Sequence, residues 1–164
     1  MEELLTALQE TAIAEALRLW RWAYPIANAG HILGVALLFG AIVPLDLRLL
    51  GAWRSVPVNF LARVLVPVAG AGFGLALVTG TLLFSVDPLQ YASLSLFQVK
   101  LLLIAAGALN VLLVHRSKAW KAMMGNTAMP STSLIPAPRL RLAGQVSDSL
   151  WFLAILCGRF IAYV

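Results

Sequence analysis

Four long apolar runs, at residues 22–47, 60–86, 94–114 and 142–163, constrain this chain more than any other feature. About 20 apolar residues is the length an α-helix needs to cross the hydrocarbon core of a bilayer. In lipid each backbone N–H and C=O must be satisfied inside the protein, so a span is a helix or a strand of a closed barrel. The period-2 alternation of barrel strands is missing, which leaves helices. Of the 164 residues, 61% are hydrophobic and 12% charged, whereas soluble domains carry about a quarter charged residues. A domain of about 150 residues still exposes roughly 30% of its unfolded surface, so a water-soluble enzyme of this composition is excluded. The expected architecture is all-α: one integral membrane four-helix bundle over residues 1–164.

The stops around the spans set orientation. Arg18 and Arg21 precede the first, Arg48, Gly51, Arg54 and Pro57 follow it, and Asp87 and Pro88 separate the second from the third. The connections after the first and third spans carry Arg48, Arg54, Arg63, Arg116, Lys118, Lys121, Arg139 and Arg141, and the opposite side has only Arg18 and Arg21. Positive loops stay in the cytoplasm, so both termini are expected outside. The net charge of +5 then reports topology and contact with anionic lipid, and nucleic acid is not an expected partner. Residues 2–19 place Leu4, Leu5, Leu8 and Ala12 opposite Glu3, Thr6 and Glu10. With no basic start of a signal peptide, they read as an N-terminal amphipathic helix in the outer interface. Trp20, Trp22 and Tyr24 mark the headgroup level. Residues 116–141, which include Pro130, Pro136 and Pro138, read as a flexible cytoplasmic loop. A lone Cys157 excludes an intrachain disulfide and a cysteine metal cluster.

Ionisable residues at membrane depth are costly, so they face the bundle and mark function. His31, Lys100, Asp148 and Arg159 lie within spans, with Asp46, Arg63 and His115 nearer the cytoplasmic ends. At the helical rise, His31 is roughly 15 Å inward of Arg21, Lys100 roughly 9 Å inward of Leu94, and Arg159 roughly 27 Å beyond Arg141. The three therefore meet in the outer half. His115 is about 20 Å from the level of His31, and metal–nitrogen bonds are about 2 Å, so the two imidazoles cannot hold one metal. Tyr24, Asn28, His31 and Gly34 share a stripe of the first helix, Lys100, Gly107 and Asn110 one of the third, and Gln145, Asp148, Phe152 and Arg159 one of the fourth. Gly70, Gly72, Gly74 and Gly80 leave the second helix without bulk. That surface suits a close helix contact, as Gly30 with Gly34 and Gly70 with Gly74 would provide, or a planar macrocycle, and the two uses can occupy different faces.

His31 has three readings: a packed neutral imidazole bonded to Asn28 or Tyr24, a haem or metal ligand, and a proton relay. No carboxylate lies at the depth of Lys100 and Arg159, so these cations ask for an exogenous anion such as a haem propionate, a quinone oxygen or a lipid phosphate. Asp46, Arg48, Arg63 and Asp148 read instead as structural ion pairs, Asp148 with Arg63 or Arg48.

The strings His31-Ile32-Leu33-Gly34, Pro44-Leu45-Asp46-Leu47-Arg48-Leu49-Leu50-Gly51, Phe97-Gln98-Val99-Lys100, and Trp151 followed by Gly158-Arg159-Phe160-Ile161-Ala162-Tyr163 resemble a bacterial family of uncharacterised four-helix inner-membrane proteins. More distantly, a His early in the first span and a Lys opening the third resemble the haem-binding bacterial protoporphyrinogen oxidase family and the CopD-type copper-resistance membrane proteins. That resemblance implies a bacterial inner-membrane protein with His31 as axial haem ligand and Lys100 as its cationic partner. The leading expectation is a b-type haem protein for electron transfer or a membrane-embedded oxidation. Arg159 with Lys100 would neutralise propionates, Asn28 and Tyr24 would flank the ligand, and Gly70, Gly72 and Gly74 would admit the ring. A homodimer would supply a sixth ligand. The alternatives are an accessory subunit of a larger membrane complex, recognised by co-purification, and a transporter of a small solute or metal ion using His31 and Asp148 as polar stations, recognised by flux.

Overall fold

The computed structural model describes residues 2–125 and 138–163. They form α1 (Glu2–Gln9), α2 (Ala12–Leu19), α3 (Ala23–Leu50), α4 (Val58–Val86), α5 (Pro88–Ser93), α6 (Ser95–Arg116), α7 (Lys118–Gly125) and α8 (Pro138–Phe160), then a 3-10 turn at Ile161–Tyr163. Among the described residues there is no strand. The helices α3, α4, α6 and α8 are each long and apolar enough to cross a membrane, so the chain is a multi-pass α-helical membrane protein.

In space the spans run α4, α3, α8, α6, with α3 on α4 the most extensive packing, then α6 on α8 and α3 on α8. Two glycines explain the tightest of these seams. A Cβ on Gly34 would come within 2.6 Å of the Ala76 nitrogen, and one on Gly72 within 2.5 Å of the Leu38 nitrogen. The helix backbones touch there, as small residues permit in lipid. Gly70 and Gly74 would meet nothing within 4 Å. Residues two apart on a helix point roughly 200° apart, so the glycine run of α4 divides between two faces, and Gly72 belongs to the crossing with α3. On the α4–α6 flank contact is made at one end by rings: Phe84 stacks on Phe97 at 5.2 Å, and Tyr91 of α5 lies 6.0 Å from Phe97.

The connections depart from expectation in three places. Residues 2–19 are two helices rather than one. The Thr11 hydroxyl donates to the Leu8 carbonyl at 2.8 Å and accepts from the Ala14 N–H at 3.3 Å, closing α1 and capping α2 in one residue. The continuous apolar periodicity hides this break. Arg18 then donates to the carbonyls of Gln9, at 2.8 Å, and Val86, at 3.2 Å, tying the hairpin to the end of α4. The expected loop at 116–141 is partly helix: Ser117 accepts from the Trp120 N–H at 3.2 Å, and Trp120 is buried against Leu45, Leu49, Val58, Ala62 and Leu140. Pro130 and Pro136 lie outside the described residues, while Pro138 opens α8, where its missing N–H is not needed. Third, α3 runs to Leu50 and ends on Gly51, whose φ of 113° sits in the left-handed region that favours glycine.

Arg48 is 2% exposed but, among the described residues, makes no ion pair of the expected kind. It folds back over the turn, its Nε donating to Val56 O at 2.6 Å and its Nη2 to Arg54 O at 3.3 Å. Unsatisfied carbonyls past a helix end attract a cation as a carboxylate does, which is why the Asp46 and Asp148 partners assigned by charge matching do not form. Arg63 is exposed.

Candidate functional site

His31 sits in the α3–α4 seam. Its Nδ1 lies 2.9 Å from the Ala76 carbonyl and 3.4 Å from Thr79 Oγ1. A carbonyl only accepts, so Nδ1 carries the proton, and the Thr79 hydroxyl, donating its own hydrogen to Leu75 O at 2.6 Å, presents a lone pair to the same N–H. The tautomer is thereby set, and Nε2 holds its lone pair with no partner among the described residues. Room for the ring comes from Gly80, where a Cβ would stand 3.0 Å from His31 Cε1.

Lys100 enters from α6, and its charge acts on His31. Its stem lies along Gly158 of α8, where a Cβ would be 3.3 Å from Nζ and 3.4 Å from Cε. Thus a glycine on each facing helix seats each of the two side chains. The small residues expected to matter were Gly70, Gly72 and Gly74, and the ones that touch His31 and Lys100 are Gly80 and Gly158. The available signal was their phase, one turn beyond Ala76 for Gly80 and ten residues past Asp148 for Gly158, but which helix crosses which is not encoded in phase alone.

The other expected members lie apart. Arg159 is exposed, donates from Nη2 to Tyr163 Oη at 2.7 Å, and stacks over that ring at 4.9 Å. It is turned along its own helix rather than toward Lys100. Asn28 is exposed. Tyr24 meets Tyr91 of α5, and burial raises the Tyr91 phenol above its ordinary value, with the Tyr24 phenol and the Asp87 carboxylate adding to the shift. His115 is at the opposite end, its Nδ1 donating to Val111 O at 2.8 Å and its ring 4.7 Å from Trp120.

At that opposite end, a cavity of about 360 Å³ opens between α3, α4, α6 and α8. Its walls are aliphatic and aromatic, with Phe73 edge-on to Trp151 at 6.0 Å. Gly107 lets the indole lie against α6, a Cβ there falling 3.1 Å from the ring, and Asn110 donates to Ala143 O at 3.0 Å to hold α6 on α8. Asp46, 6% exposed, is on the wall. Ser147 hydrogen-bonds it and Asp148 acts on it as a second acid. Asp46 Oδ2, Asp148 Oδ1 and Trp151 Nε1 are buried without a hydrogen-bond partner among the described residues.

Among the described residues no three His, Cys, Asp or Glu side chains come together to hold a metal ion. A single imidazole with a free Nε2 suits a metal that arrives with its own equatorial ligands. Compared with protein-family models, curated proteins and solved structures, the chain matches none.

Proposed function

We propose that this multi-pass protein resides in a bacterial inner membrane, with the α7 end in the cytoplasm and both termini outside, and that it binds a b-type haem through His31 for electron transfer or a membrane-embedded oxidation. The observation that carries the reading is the His31 hydrogen bond to Ala76 O. Ligating imidazoles donate their second N–H to a carbonyl or carboxylate, which orients the ring and raises the basicity of the ligating nitrogen. Lys100 supplies the cation for an anionic edge of the bound group, as its placement beside Gly158, with no carboxylate partner among the described residues, supports. Bound there, the haem supplies one-electron chemistry at iron. The chain's own part is to present Nε2, fix its tautomer through Ala76 and Thr79, and hold a positive charge nearby. One imidazole stands at this depth, and a second copy of the chain would supply a further one. The orientation rests on the eight basic residues named above, which gather at the α7 end.

The test is an absorption spectrum of the protein purified in mild detergent after expression with haem supplied, oxidised and then dithionite-reduced. A Soret band with reduced α and β bands is expected, abolished in His31→Ala and kept in His115→Ala. A featureless wild-type spectrum, or equal loss in both variants, removes the reading.

A further inference from the structure

The cavity at the α7 end is independent of the His31 site and combines three features. It is large enough for an organic molecule, at about 360 Å³. Its walls are apolar, with aromatic faces from Phe73 and Trp151. And Asp46, more than nine-tenths buried on that wall, has one carboxylate oxygen with no partner among the described residues. Asp148 adds a second acid that acts on the first and also has a buried orphan oxygen. No lysine or arginine lines the cavity among the described residues, and the titratable group that α6 brings to it is His115, whose Nδ1 is spent on Val111 O. From α8 comes Ser147, a neutral donor. On α3, Arg48 is committed to the carbonyls of Val56 and Arg54. From α6, Asn110 is spent on Ala143 O. A buried carboxylate left without a counter-ion is strongly unfavourable, and a bare inorganic ion would leave most of the cavity empty.

We infer that this cavity binds a hydrophobic organic cation, with its ammonium group against Asp46, whose charge Asp148 reinforces from behind the wall, and its apolar body among Phe73, Trp151 and the aliphatic wall. Charge complementarity selects the sign, the volume selects an organic body, and the apolar lining excludes a polyamine. Aromatic faces favour a cation through their quadrupole.

The experiment is equilibrium dialysis of benzyltrimethylammonium against the full chain in phosphatidylcholine nanodiscs, with protein-free nanodiscs as the blank. Neopentylbenzene, the same shape with carbon in place of nitrogen, is the neutral control. Saturable binding of the cation is expected, weakened at least tenfold in Asp46→Asn and in Asp148→Asn, with no saturable binding of the neutral probe above the blank. Asp46→Glu, which keeps the charge, is expected to restore binding relative to Asp46→Asn. Thermal midpoints identify any variant that fails to fold; should Asp46→Asn do so, Asp148→Asn and the neutral probe decide. Absence of saturable binding to wild type between pH 6 and 9, equal binding by folded Asn variants, or equal binding of the neutral probe overturns the inference, the first of these assigning the pair to a shared proton.

Discussion

The two halves of this bundle bury opposite charges, and they do so by different means. At the α5 end the charge is Lys100, a long stem laid along Gly158. At the α7 end it is the pair Asp46 and Asp148, short side chains of which Asp46 lines a cavity. A lysine stem has four carbons with which to carry its ammonium toward headgroups, so Lys100 can relieve its own desolvation by moving. An aspartate has one. Its surroundings must change instead, by a proton, a ligand or a shifted helix. The comparison teaches that the depth of a charged residue is a weaker guide to its energetics than the length of side chain available to escape that depth.

Several variants can break or sharpen this contrast. Lys100→Gln keeps much of the stem and removes the charge, so under the proposed haem-binding function it is expected to weaken haem retention about tenfold, ~1.4 kcal/mol, read as the rate of haem transfer to an apo-globin acceptor. An unchanged rate would make Lys100 a headgroup contact. Gly72→Ala forces a Cβ into the α3 backbone and is expected to cost about 1–3 kcal/mol, lowering the thermal midpoint in detergent. Gly74→Ala, in open space on the same helix, is expected to raise that midpoint, by about 0.5–1 kcal/mol of helix propensity. The same sign in both would mean that the α3–α4 crossing is not the stabilising seam. The smallest effect concerns Tyr91. Its raised phenol pKa means the neutral form is favoured in the fold, so its contribution is fully present below the ordinary value near 10.0 and is lost as pH rises above it. Midpoints measured from pH 8 to 11 should fall more for wild type than for Tyr91→Phe.

The spans were legible because lipid imposes a single rule on backbone and side chain alike, and each run ends at charge, glycine or proline. Their ends were less so. Gly51 and Pro138 extend α3 and α8 beyond the apolar runs, since capping and proline placement act after hydropathy has stopped reporting. Helix α7 was hidden because its apolar face, chiefly Trp120, covers the end of the bundle rather than lipid. At the site, phase alone pointed His31 and Lys100 inward. What phase could not supply was the identity of the facing groups: Ala76 O, Thr79, Gly80 and Gly158 depend on where helices cross. Arg159 was assigned by depth, but a guanidinium four residues before a tyrosine on one helix has a partner at i+4 within its own turn. Asp46 and Asp148 were paired with arginines by sign, and the open carbonyls of the α3–α4 turn claimed Arg48 first.

The unequal seams of the bundle also decide how a molecule would reach its interior. Gly70 of α4 and Leu112 of α6 both line the cavity and both remain exposed on the flank where those two helices are not packed together. That flank faces hydrocarbon in a membrane-spanning protein, so the route in is sideways through the bilayer. For any occupant, the relevant concentration is then the amount dissolved per volume of lipid. Apparent affinity should follow the partition coefficient of the compound, and it should weaken in proportion as lipid is added at constant protein.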